Sequence, residues 1–258
     1  MDNQYKILEI FESSYYSKLA VKNNQKYINE EPFPHITFDN FLPLELADLI
    51  GEQYANFDKS RSKGKFHNNK NTQRYLHEDI TSFSLPLKLF ASSINGRSFL
   101  SFLETLTSIN HIIPDPYFIG GGACLTSKGG YLKVHIDFNF HHKLQSWRKL
   151  NALFYLNKKW KKEWKGNLEL WPTDSEEKIK EIEPIFNRVV IFNTSESYHG
   201  QPEPISCPKE EYRKVFSAFY YSPVSDKKKQ SEPHFTKYSI KHSPYSKQIL
   251  EDYKKIRE

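Results

Sequence analysis

The residues best placed to do chemistry together are His135 and Asp137, two apart, then a solitary His199 far downstream, then Arg213. Two imidazoles and one carboxylate on one face of a metal leave its other positions open. That arrangement suits Fe(II) when a co-substrate and O₂ must bind side by side. Side chains two apart share a face only on an extended strand, so His135 and Asp137 chelate one ion if 131–137 is a strand. His199 must be returned to them by the fold. Arg213 offers a planar guanidinium able to neutralise the far carboxylate of a chelating dicarboxylate through two parallel hydrogen bonds. In a chain with 10 histidines a His-x-Asp alone means little; the later His and Arg, each beside a β-prone run, give it weight.

Strands must position these residues, and the second half of the chain supplies them. After the Gly129-Gly130 turn, 131–137 reads as a strand, 151–157 is a nearly continuous apolar run, and 167–171 follows a Lys- and Trp-rich turn. Val189-Val190-Ile191-Phe192 is the most β-prone tetrad and ends just before His199, while 215–221 follows Arg213. With 117–126 this makes seven or eight short strands separated by turns, the pattern of a double-stranded β-helix, a cupin-like jelly roll. Glycines 120–122 mark a close approach of backbone or ligand and lack the spacing of a phosphate loop.

The first half reads as support. Apolar residues at three- and four-residue steps predict an amphipathic helix over 4–20, an edge strand over 32–38, a helix face over 44–50 after Pro43, and helices over 85–94 and 99–106 broken at Asn95-Gly96. Residues 58–79, rich in Lys, Asn, Ser, Arg and Gly, read as a long exposed loop. The stretch after Ser225, with Lys227–Lys229, reads as an exposed extension with a short terminal helix. The expectation is α+β, mainly β: a single domain over 1–258, with helical support over 1–110, the jelly-roll core over 115–222 and the extension over 223–258.

Hydrophobic content of 38% with 15% aromatic predicts a folded globule with an aromatic-rich core. Net charge is +6 and the pI about 9.0, which permits contact with nucleic acid, an anionic glycan or an acidic surface without requiring it. Two cysteines, Cys124 and Cys207, are too few for a disulfide framework and point to a reducing compartment. The first ten residues lack the apolar core of a secretory signal and no run is long enough to span a bilayer, so a cytoplasmic protein with no membrane contact is expected.

The runs "GGYLKVHIDFN", "NALFYLNKKWKKEWKGNLELW", "IEPIFNRVVIFNTSESYHGQPEPI" and "YRKVFSAFYY" resemble the 2-oxoglutarate and Fe(II)-dependent dioxygenases, in the prolyl-4-hydroxylase-like branch. The likeness covers roughly 120–221, and "PFPHITFDNFLPLELADLI" resembles the entry segment of bacterial members. The resemblance implies His135, Asp137 and His199 as iron ligands and Arg213 as the anchor of the distal 2-oxoglutarate carboxylate. It implies Tyr155, in "YLN", as a hydrogen-bond donor to that same carboxylate. The implied cofactors are Fe(II), 2-oxoglutarate and O₂, with ascorbate a candidate reductant. The implied reaction is hydroxylation of an unactivated C–H bond with release of succinate and CO₂. An insert over 203–211 lengthens the His-to-Arg gap relative to the hypoxia-sensing members; Lys214 is the weaker anchor because "FSAFYY" keeps its register behind Arg213.

A prolyl residue of a protein or peptide, free proline or a related small molecule is the expected substrate. A sugar or natural product stands close behind, since the triad needs only a C–H bond held near the metal. Nucleic-acid demethylation is disfavoured, because its signature needs a second Arg where this chain has Phe219. Outside catalysis, a jelly-roll binding module for a glycan or acidic partner is the alternative, since fold alone does not fix function. Other residues receive plainer expectations. His35 is structural, His141 and His142 are solvated or beside the ligands in a polar loop, and Trp160 and Trp164 pack at a sheet edge. Tyr131 and Trp171 face the pocket, and Arg188 makes a surface ion pair.

Overall fold

In the computed structural model, residues 3–57, 64–178, 180–194, 197–223, 232–239 and 241–242 are described. Ser13 divides the predicted first helix. Its hydroxyl accepts from the Tyr15 backbone N–H, so Asn3–Glu12 wind as a 3-10 segment and α1 (Ser14–Ile28) starts anew and runs past the predicted end. α2 (Leu44–Phe57), α3 (Leu85–Ile94) and α4 (Arg97–Thr107) fall where the periodicity placed them, with the break at Asn95-Gly96.

Fourteen strands lie within the described residues: β1 (His35–Phe38), β2 (Lys65–Asn69), β3 (Thr72–His77), β4 (Ile113–Pro114), β5 (Gly122–Thr126), β6 (Tyr131–Ile136), β7 (Phe140–His141), β8 (Ser146–Tyr155), β9 (Leu168–Trp171), β10 (Lys180–Ile182), β11 (Arg188–Asn193), β12 (Tyr198–Gln201), β13 (Arg213–Ser222) and β14 (Lys237–Tyr238). They pair antiparallel in the order β1-β11-β8-β13-β5-β3-β6-β12-β9-β10. The sheet folds over on itself at β3, whose Tyr75–His77 pair with β5 while Thr72 and Gln73 pair with β6. The result is the expected jelly-roll core, with mainly β structure and helices outside.

Alternation along β11 shows why its apolar run is unbroken. Val189 and Ile191 join the core beneath the helices, with Phe99, Phe102, Phe154 and Phe216, whereas Val190 and Phe192 face the inside of the roll with Tyr155, Leu168, Leu170 and Val215. Both faces are covered, so neither can be polar.

Residues 64–77 are not the predicted loop. β2 and β3 form a hairpin whose turn is closed by Asn69, its side-chain oxygen accepting from the backbone N–H groups of Asn71 and Thr72. The strands show no apolar alternation because β2 is mostly exposed and polar and Arg74 of β3 faces the cavity. Residues 58–63 lie outside the described residues. Within 141–148 the expected exposed turn is confined to 142–145, where His142 is solvated. β8 begins at Ser146, and His141 is buried with its Nε2 3.5 Å from Asp115.

The glycines at 120–122 do mark a close approach. Gly122 has φ +79°, and a Cβ there would lie 2.4 Å from the His77 carbonyl oxygen. The insert after His199 is pinned at Ile205, whose carbonyl accepts from Gly129 N–H (2.7 Å) and whose N–H donates to Gly130 (3.1 Å). Cys124 and Cys207 are free and buried. Trp160 and Trp164 pack edge to face, and Arg188 pairs with Asp39, as expected. Among the described residues no helix is long and apolar enough to cross a membrane. The Lys227–Lys229 run and the expected terminal helix lie outside the described residues.

Candidate metal centre and co-substrate cavity

Antiparallel pairing of β12 with β6 sets His199 directly opposite His135. Their rings lie 4.4 Å apart between centroids, and Asp137, just past the end of β6, turns its carboxylate between them. Oδ1 is 3.3 Å from His135 Nε2 and Oδ2 is 3.3 Å from His199 Nε2. One donor atom from each of the three residues lies within 4.8 Å of the other two, the only such group among the described residues.

Both imidazole rings are oriented by backbone carbonyls. His135 Nδ1 lies 2.8 Å from the Lys133 carbonyl oxygen and His199 Nδ1 lies 3.2 Å from that of Ser197. A carbonyl only accepts, so each Nδ1 carries its proton and each Nε2 keeps its lone pair for a metal. Burial pulls the His135 pKa down, and the neighbouring His199 adds to that effect. Burial alone would raise the Asp137 pKa, but the Arg148 guanidinium and the two histidines hold it well below the usual carboxylate range. The site therefore presents two imidazole Nε2 atoms and one carboxylate to a common point, the donor set of a facial triad with open positions.

Behind the carboxylate sits a support that the sequence did not announce. Arg148 Nη2 lies 3.0 Å from Asp137 Oδ2, and Asn151 Nδ2 donates to the same oxygen at 2.9 Å. Arg148 also donates to Asn151 Oδ1 through Nε and Nη2, and its guanidinium carbon lies 3.5 Å from the Phe219 ring centroid. Phe219, where a demethylase signature would place an arginine, thus carries one on its face. The signal for this group was a basic and an amide residue inside a run that otherwise reads as core.

Arg213, at the head of β13, closes the far end of the cavity. It is 7% exposed, donates from Nε to the Gly166 carbonyl (2.6 Å) and from Nη2 to Tyr155 Oη (3.3 Å). Tyr155 is fully buried, and burial, only partly offset by Arg213, raises its pKa, so the phenol stays protonated. The cavity between Arg213 and the histidines is walled by Cys124, Thr126, Leu153, Leu168 and Val215. Tyr155 itself is not among its lining residues; it touches Arg213. Lys214 is turned away from it. Neither Tyr131 nor Trp171 faces the cavity: Tyr131 donates to Asn69 O, and Trp171 donates to Glu169 and packs against His242.

Beyond β13 the chain returns across the mouth. Asn139 bonds the backbone of Glu232 and His234, β14 pairs with β6 at Ile136 and His135, and Ser239 N–H donates to Val134. Thr236 and Tyr238 on this strap line the cavity, and the Tyr238 ring lies 5.6 Å from that of His135.

Residues 121–221 match the family model described as the 2OG-Fe(II) oxygenase superfamily. Among solved structures, the chain is similar to a Pseudomonas putida prolyl-4-hydroxylase, with 14% identity, TM-score 0.57, and coverage of 79% of this chain and 99% of that one. It is also similar to a Trichoplax adhaerens prolyl hydroxylase in complex with a hypoxia inducible factor peptide fragment, with 17% identity, TM-score 0.59 and coverage of 81% and 91%. A third similar structure is a Phytophthora capsici prolyl 4-hydroxylase, with 16% identity, TM-score 0.52 and coverage of 86% and 66%. No curated protein matches the sequence. Identities this low establish the shared fold, and the family match covers the segment that holds His135, Asp137, Tyr155, His199 and Arg213. Residues 121–221 thus match the 2OG-Fe(II) oxygenase superfamily model, and the fold around that segment is the one seen in structures described as prolyl-4-hydroxylases.

Proposed function

We propose that this protein is a dioxygenase that hydroxylates an unactivated C–H bond, most specifically of a prolyl residue, proline or a related substrate. The observation that carries the reading is the convergence of the His135, Asp137 and His199 donors at one end of a cavity whose other end is Arg213. Bound iron and 2-oxoglutarate supply the chemistry, coupling reduction of O₂ to release of succinate and CO₂ and to transfer of one oxygen atom to substrate.

The protein's part is to hold and orient. His135 and His199 would give Nε2 and Asp137 a carboxylate oxygen to the metal, while Arg148 and Asn151 keep that carboxylate ionised and aimed. Arg213 would receive the distal carboxylate of 2-oxoglutarate, with its guanidinium plane fixed by Gly166 and Tyr155. The Tyr155 phenol, expected to bond the same group directly, sits behind Arg213 and supports that carboxylate through it. Leu153, Leu168 and Val215 keep water from the stem of the co-substrate. The prolyl preference draws on the fold shared with structures described as prolyl hydroxylases.

The test adds Fe(II) and 2-oxoglutarate to metal-free protein without oxygen and looks for the visible charge-transfer band of the chelated co-substrate. The band is expected in wild type and lost in His199→Ala. In Arg213→Ala it should need roughly tenfold more 2-oxoglutarate or beyond, the loss of a charge-assisted hydrogen bond. Folded, metal-loaded protein without the band would overturn the reading.

A further inference from the structure

The cavity holds more positive charge than the proposed chemistry uses. Its charged lining residues other than the histidines are Arg74, Arg148, Arg213 and Asp137, three guanidiniums against one carboxylate. Arg148 is spent on Asp137 at 3.0 Å, and Arg213 is placed for the co-substrate. A bound dication and a bound dicarboxylate cancel each other, so loading the site leaves the excess in place.

Arg74 is the surplus group. It lies on β3 between Gln73, paired to β6, and Tyr75, paired to β5, at the fold of the sheet. Among the described residues it has no ion pair. Its Nε is buried without a hydrogen-bond partner, and its one polar contact is Nη1 to Cys124 Sγ at 3.9 Å, a neutral and weak acceptor. A buried donor left unmade is costly, and a guanidinium costs more than most. Thr236 and Tyr238 of the strap line the same cavity and add hydroxyl donors.

We infer that Arg74 binds a carboxylate carried by the substrate, so that the enzyme takes a small carboxylate-bearing molecule rather than an uncharged internal residue of a peptide. The inference rests on the hydroxylase reading and narrows it: of the candidates above, free proline and related amino acids have such a group beside the ring. Its planar fork suits a carboxylate bidentately, which would satisfy the orphaned Nε and leave the other end of the substrate free to approach the metal face.

The measurement is the nitrogen-proton correlation spectrum of arginine side chains in protein loaded with Zn(II) and 2-oxoglutarate. The Arg74 Nε–H signal is identified by its absence in Arg74→Gln, or in Arg74→Lys if the first variant does not fold. The probes are two matched pairs at constant ionic strength: L-proline with L-prolinamide, and acetate with acetamide. At least one carboxylate is expected to move the signal saturably while its amide does not, and Arg74→Gln should weaken L-proline binding, where it is seen, roughly tenfold or more.

An Arg74 signal that ignores both carboxylates overturns the inference. So does one that moves when 2-oxoglutarate is first added, since Arg74 would then be a co-substrate anchor. The hydroxylase reading fails separately, by an Arg213 signal indifferent to 2-oxoglutarate together with a missing charge-transfer band.

Discussion

Asp137 shows how much of the site's behaviour is set by residues that never meet a ligand. One of its oxygens is occupied by Arg148 and Asn151, which fixes the plane of the carboxylate relative to both histidines. Replacing Arg148 by Leu removes the ion pair and frees the plane. Zinc affinity measured by calorimetry should fall roughly 10–100-fold, the usual effect of losing the group behind a metal ligand. The three residues that converge were legible in the sequence, because spacing on a strand and proximity to β-prone runs are local properties. Arg148, Asn151 and Arg74 were not. Each is a polar residue on a strand whose reason for being polar is a cavity made by other strands, and its own neighbourhood shows at most that a polar residue interrupts an apolar run.

The elements were legible where burial imposed a period. α3 and α4 stand where apolar spacing put them, since each presents a continuous apolar face to one core, and β11 stands where an unbroken β-prone run put it, buried on both faces. The β2–β3 hairpin failed that test, because β2 is mostly exposed and polar and β3 puts Arg74 toward a cavity, so its few apolar residues, Phe66, Tyr75 and Leu76, show no alternation. Its neighbour β5 makes the dependence visible. Gly122 sits at φ +79° with the His77 carbonyl where a side chain would begin, so the glycine sets the approach of β5 to the end of β3. Gly122→Ala should lower unfolding free energy by at least about 1–3 kcal/mol, read from the denaturant midpoint. Because β3 carries Arg74, the same variant should disturb the cavity.

At the scale of the molecule, the helical layer and the roll share one aromatic core. Phe99 of α4 is fully buried and meets Phe11, Phe41, Phe102, Phe154 and Tyr220, drawn from helices, from the segment before α2 and from β8 and β13. Phe99→Ala should cost about 3–5 kcal/mol, and far- and near-ultraviolet circular dichroism should report a single shifted transition. Two separate transitions would show that the helices melt apart from the sheet. The aromatic composition foretold such a core; which helix pressed on which strand depended on pairings distant in the sequence.

The opposition of His135 and His199 has a consequence for the chain as a polymer. Roughly 64 residues separate two side chains that adjacent strands bring face to face, and closing a loop of that length costs about 4 kcal/mol of chain entropy beyond a constant. An ion that grips both imidazoles is then a cross-link as well as a cofactor, holding all five strands from β7 to β11 inside a closed ring of backbone.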